Sequence, residues 1–184
     1  MITLIARNIK NLMLKDANCA PYSLKKITIN LVWAFIFSCI AIPATAQQYH
    51  LGDIEIINPW TRATPKGIKV GSGYLYIINH GNTPDRLISV SANKVQTAEI
   101  HSMTVVNDIM KMEKMHNGVE IPGNGEVTLK PGGNHIMFMG LSQPFKPGDK
   151  ISAKLTFEKA GTIDIDFYVN APGATSPSKL LPSQ

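Results

Sequence analysis

From residue 47 onward, apolar and polar positions alternate in short runs broken by turn residues. Asp53-Ile54-Glu55-Ile56-Ile57 alternates and ends at Asn58-Pro59. Gly73 to Ile78 is β-branched and aromatic and stops at Asn79-His80-Gly81-Asn82. Further runs cover Leu87 to Val90, Ala98 to Met103, Ile109 to Met115, Gly125 to Leu129, His135 to Leu141, Lys150 to Phe157 and Thr162 to Val169. Lys130-Pro131-Gly132-Gly133 is a strong turn, and Gly161 separates the last two runs as a hairpin turn would. Short strands at this spacing, with no helical periodicity, predict an all-β sandwich or barrel. Ala171 to Gln184 is rich in Pro and Ser and reads as a disordered tail.

Before residue 47 the pattern changes. Lys25 and Lys26 precede an almost wholly apolar run from Ile27 to Ile42. Pro43 then ends any helix, and Ala44-Thr45-Ala46 has the form of an A-x-A cleavage site. That order is the order of a secretory signal peptide. The apolar run is short for a membrane span, and the cleavage site follows it directly, which argues against an uncleaved anchor. Ile36-Phe37-Ser38-Cys39 is a poor lipobox, because Phe37 is bulky where a small residue is wanted. The expected organisation is a cleaved signal peptide over 1–46, one β domain over 47–170 and a tail over 171–184. The protein is then exported, periplasmic and without a stable membrane anchor.

Removing the leader changes charge and chemistry. Residues 1–46 hold five Lys or Arg and one acid, Asp16. With 18 bases and 13 acids in the whole chain, the remainder has 13 and 12, a net charge of +1. The basicity therefore lies in the leader and gives no reason to expect a nucleic-acid partner. Cys19 and Cys39 both lie in the leader too, so the mature chain has no thiol for a disulfide, for catalysis or for metal ligation.

What remains distinctive is sulfur of another kind. The six methionines of the mature chain, Met103, Met110, Met112, Met115, Met137 and Met139, lie in one third of the domain. His101, His116 and His135 share that window. Core methionines would be spread over several strands and mixed with Leu and Val. Alternate residues of a strand share a face, so His101-Ser102-Met103 puts an imidazole and a thioether on one side. His135-Ile136-Met137 repeats the arrangement, Met139 continues its row, and Ile136 and Phe138 point to the core. Met110 and Met112 share a face across Lys111. If the strands are neighbours, two H-x-M units and a third methionine converge.

A neutral, soft thioether binds Cu(I) well and hard cations hardly at all, and imidazole suits copper too. Zinc would recruit Cys or carboxylate. A blue-copper site needs a Cys ligand, which the mature chain lacks. His50, His80 and His116 read as surface residues, and Met103 as the better reserve ligand. No nucleophile–base pairing supports an enzyme, and Gly71-Ser72-Gly73 is no nucleotide loop. The competing readings are a copper storage or resistance protein, a copper oxidase or reductase, which would usually need more open coordination, extra histidines or a thiolate, and a structural or adhesive β-sandwich whose methionines are packing.

The stretch from Ala98 to Leu141, with Arg62-Ala63-Thr64-Pro65, Gly73-Tyr74-Leu75, Asp85-Arg86-Leu87 and Phe157 to Gly161, resembles the PCu(A)C periplasmic copper chaperone family. The family pattern is a His, ten residues, a Met, about twenty-one residues and then H-x-M. Here ten residues separate His101 from Met112, and 22 separate Met112 from His135. The extra residue is expected in the turn-rich Met115 to Asn124 segment, where a loop absorbs it cheaply. The resemblance implies a cupredoxin-like Greek-key β-sandwich with His101, Met112, His135 and Met137 as Cu(I) ligands. It implies delivery of copper towards the Cu(A) centre of cytochrome c oxidase, alone or with a thiol-containing assembly factor. Some relatives have a second copper site in a His/Met-rich C-terminal extension. Ala171 to Gln184 has neither residue, so none is expected here.

Overall fold

The structure, a computed structural model, describes residues 47–177. The expected signal peptide and residues 178–184 lie outside the described residues. Eleven strands follow one another: β1 (Gln48–Leu51), β2 (Ile54–Arg62), β3 (Val70–Asn79), β4 (Asp85–Ala92), β5 (Thr97–Val106), β6 (Ile109–Lys114), β7 (Val119–Ile121), β8 (Gly125–Leu129), β9 (His135–Met139), β10 (Lys150–Phe157) and β11 (Thr162–Asn170). No helix occurs among the described residues, so the expected all-β class holds.

The strands join in the order β6-β5-β9-β3-β2-β11-β10-β4-β7, with β1 added on β2 and β8 on β3. The β11–β2 pairing is parallel and the other pairings are antiparallel. Period-2 patterning decides which face closes on the core. In β10, Ile151, Ala153, Leu155 and Phe157 are buried while Lys150, Ser152 and Lys154 are exposed. Its in-sheet neighbour β11 supplies Ile165, Phe167 and Val169. Ile100 from β5 and Ile136 and Phe138 from β9 enter the same core. Each such side chain, fully buried, contributes on the order of 1.5–3 kcal/mol.

Three elements depart from expectation, the first being β1, which lies before the first expected run and pairs antiparallel with β2. β2 does not end at Asn58-Pro59 but runs on to Arg62 through a register shift between Ile57 and Trp60. Asn58 takes a left-handed conformation (φ 50°), and Pro59, which has no N–H to give to a ladder, falls inside the irregularity. Past it, Trp60 to Arg62 pair with Tyr168 to Asn170 of β11. The segment from Met115 to Asn124 is not all turn: it holds β7, whose Val119 and Ile121 are buried and pair against β4. Residues 171–177 make two anchoring bonds, Arg62 Nε to the Ala174 carbonyl at 2.7 Å and Asn170 Nδ2 to the Ser176 carbonyl at 3.3 Å.

Candidate metal centre

The neighbouring strands β6, β5 and β9 bring the histidine and methionine positions together. β5 pairs with β9 so that His101 lies opposite His135, Glu99 opposite Met137 and Thr97 opposite Met139. β5 also pairs with β6, placing Met103 opposite Met112, His101 opposite Lys114 and Val105 opposite Met110. Residues opposite one another share a face, as do residues two apart. His101, Met103, Met110, Met112, His135, Met137 and Met139 therefore all lie on the face turned away from Ile100, Ile136 and Phe138. All four residues of the expected ligand set, His101, Met112, His135 and Met137, are among them.

The two imidazoles are adjacent, with ring centroids 6.1 Å apart and planes inclined by 49°. An imidazole bound to a metal at about 2.0–2.1 Å has its centroid roughly 3 Å from the ion, so two rings sharing one ion sit about 6 Å apart or less. The observed spacing is at that limit. His135 is buried, with 3% of its surface exposed, and Met137 is half-buried beside it. Met112 is 46% exposed and Met110 64%, on a strand that is exposed along its whole length. Met103, directly across from Met112, is half-buried. Met115 packs against the core instead. His50, His80 and His116 are exposed, as expected, and His80 pairs with Glu55 at 2.7 Å.

Each imidazole of the pair is held at one nitrogen. His135 Nδ1 lies 2.9 Å from the Gly133 carbonyl oxygen. A carbonyl only accepts, so Nδ1 carries the proton and the ring's lone pair is on Nε2. His101 Nε2 lies 3.0 Å from Glu99 Oε2, while its Nδ1 is buried with no hydrogen-bond partner. A buried acceptor left unpaired costs about 1–3 kcal/mol, and such a lone pair is what a metal would satisfy. Glu99 and Lys114 are residues of this site that the sequence reading did not single out. Glu99 lies on the same face as His101 by the same two-residue step that linked His101 to Met103, so the alternation already contained it. Lys114 Nζ donates to Glu99 Oε1 at 2.7 Å. The Lys114 ammonium first and His101 second hold the Glu99 carboxyl below the usual carboxylate range.

Glu99 and Lys114 cancel in charge, so the donors offered to a metal are neutral imidazoles and thioethers. Among the described residues no group of three or more His, Cys, Asp and Glu is placed to hold a metal. The thioethers that share this face with the two imidazoles are soft donors.

A family model, "Putative lipoprotein LpqE-like", matches residues 54–169. A relative from Leifsonia xyli subsp. xyli, named "Putative lipoprotein Lxx21020", is 26% identical over 142 residues, which is 76% of this chain and 84% of the relative. The solved structure "Apo PCuAC domain from PmoF1" is 32% identical with a TM-score of 0.59, covering 68% of this chain and 100% of that one. "Copper-bound PCuAC domain from PmoF2" is 30% identical with a TM-score of 0.59, covering 68% of this chain and 99% of that one. The strand framework described above is thus the expected cupredoxin-like sandwich.

Proposed function

The chain belongs to the LpqE-like, PCuAC-related family, and from that premise we propose that it is an exported copper chaperone holding Cu(I) on His101, Met112, His135 and Met137. One observation carries the reading: His101 and His135 face each other across β5 and β9, with thioethers on the same face and an imidazole lone pair buried without a partner. A copper-bound PCuAC domain of similar sequence supports copper as the metal. Thioether donors support the Cu(I) state, since sulfur favours the softer ion.

The role is that of a carrier, not of an enzyme. Neutral donors hold the ion without the charge attraction that a thiolate adds, so a thiolate-bearing acceptor draws the copper away. The acceptor in this reading is the Cu(A) subunit of cytochrome c oxidase, or a thiol-containing assembly factor that serves it. The leader over 1–46 brings the chain to the periplasm and is removed before Gln47. The lipoprotein names of the family agree with export. Cys39 follows a bulky Phe37 two positions back, and in this reading it is lost with the leader.

Titration of the protein with Cu(I) under reducing conditions, against a chromophoric competitor, tests the reading. One ion per chain is expected. His135→Ala and Met137→Ala each weaken binding by more than the roughly 10–100-fold typical of losing a supporting residue of a metal site. Affinity unchanged in both variants would remove copper binding from this face.

A further inference from the structure

The two histidines do not present the same nitrogen. We infer that Glu99, anchored by Lys114, makes Nδ1 the copper-accepting nitrogen of His101, whereas His135 accepts copper at Nε2. The inference rests on the copper reading of this face and adds to it how the face is set.

A neutral imidazole carries one N–H and one lone pair, and the partner of one nitrogen decides the chemistry of the other. An ionised carboxylate is an acceptor only. With Glu99 Oε2 at 3.0 Å, His101 Nε2 carries the proton and Nδ1 the lone pair. That Nδ1 is buried and has no hydrogen-bond partner. The second carboxylate oxygen, Oε1, is engaged by Lys114 Nζ at 2.7 Å, and Lys114 stands directly opposite His101 on β6. Glu99 is thus gripped from two sides. It cannot turn towards Met137, its opposite number on β9, without giving up both bonds. His135 is set by a different device, the backbone carbonyl of Gly133 at Nδ1. In that ring the lone pair is on Nε2.

Two consequences separate this arrangement from a simple salt bridge. Glu99 shares the ligand face yet has both oxygens engaged, so the site keeps a neutral donor set. The carboxylate behind His101 also makes that imidazole the more electron-rich of the two, as carboxylate–histidine pairs do at other metal sites. Glu99 is therefore a positioning residue, acting through His101.

The test is long-range proton–nitrogen NMR on the exported protein labelled with ¹⁵N-histidine, before and after loading with silver(I), a diamagnetic stand-in for Cu(I). Without metal, His101 is expected as the Nε2–H tautomer and His135 as the Nδ1–H tautomer. Silver should shift Nδ1 of His101 and Nε2 of His135, each with a silver–nitrogen coupling. Glu99→Leu is expected to mix the His101 tautomers and weaken silver and Cu(I) binding about 10–100-fold, with the backbone spectrum of β5 and β6 reporting that the hairpin still folds. Glu99→Gln should restore the tautomer and most of the affinity. Its carbonyl oxygen still accepts from Nε2–H once Lys114, 45% exposed, turns to solvent. Silver on Nε2 of His101, or a Glu99→Leu variant with unchanged tautomer and affinity, overturns the inference and leaves the copper reading standing. Failure of the wild-type protein to bind silver or Cu(I) overturns both.

Discussion

Met103 and Met112 stand opposite one another across β5 and β6, and both adjoin the His101 position. They differ in cover: Met103 is half-buried, whereas Met112 is 46% exposed. In the proposed site an exposed thioether can swing onto an ion and off again, as the third ligand of the proposed carrier would need to. Met112→Leu keeps size and shape while removing the sulfur. It should weaken Cu(I) binding about tenfold or more and change stability by no more than about 0.5 kcal/mol. Met103→Leu should leave the affinity within a few-fold. Competition titration and thermal melts on both variants check this, and loss of binding in Met103→Leu alone would make Met103 the ligand. Alternation revealed the H-x-M faces of His101 and His135 because a strand has period two. It could not choose between Met103 and Met112, since the register of β5 against β6 depends on pairing across Asn107-Asp108. Both residues of that turn are left-handed, with φ of 53° and 61°, as a tight two-residue hairpin requires.

At the scale of elements, β9 carries His135, Met137 and Met139 on one side and Ile136 and Phe138 on the other. Its seat is made by a glycine on β3. Gly73 lies opposite Ile136, and a Cβ there would come within 2.8 Å of the Phe138 ring and 3.2 Å of Phe167. Gly73→Ala should therefore push Phe138 off its place and lower stability by about 1–3 kcal/mol, the usual cost of overpacking a dense core. Because Phe138 lies between Met137 and Met139, Cu(I) affinity should fall with it. Urea unfolding with a parallel titration measures both, and a variant as stable as the parent would deny this packing role. The glycine was visible in the sequence only as part of a strand, because close approach belongs to the sheet and not to the local pattern. For the same reason the continuation of β2 past Asn58-Pro59 was not legible. Proline normally ends a central strand, and only the bulge with left-handed Asn58 lets the chain carry on. β7 was missed because three residues are too few for alternation to register, although the burial of Val119 and Ile121 makes it part of the core.

For the whole molecule, the all-β class followed from many short runs agreeing with one another, from Ile54 to Val169. The parallel joining of β11 to β2 did not, since it links residues far apart in the chain. Composition mattered as much as pattern. Beyond residue 46 there is no cysteine, and the charges nearly cancel, so neither thiol chemistry nor a strong field competes with the methionine face. Glu99 and Lys114 continue that balance at the site itself, where an ion pair neutralises the one carboxylate beside His101. The result is a sandwich with a soft, neutral patch at the edge formed by β9, β5 and the exposed β6. The central claim is that a single Cu(I) ion is shared by two imidazoles and by thioether sulfur on that patch. X-ray absorption at the copper edge of the singly loaded protein tests it most directly. Two nitrogen neighbours and at least one sulfur neighbour are predicted, with the nitrogen count falling by one in His101→Ala and in His135→Ala. A neighbour set of nitrogen and oxygen without sulfur, or one unaltered by either substitution, would contradict it.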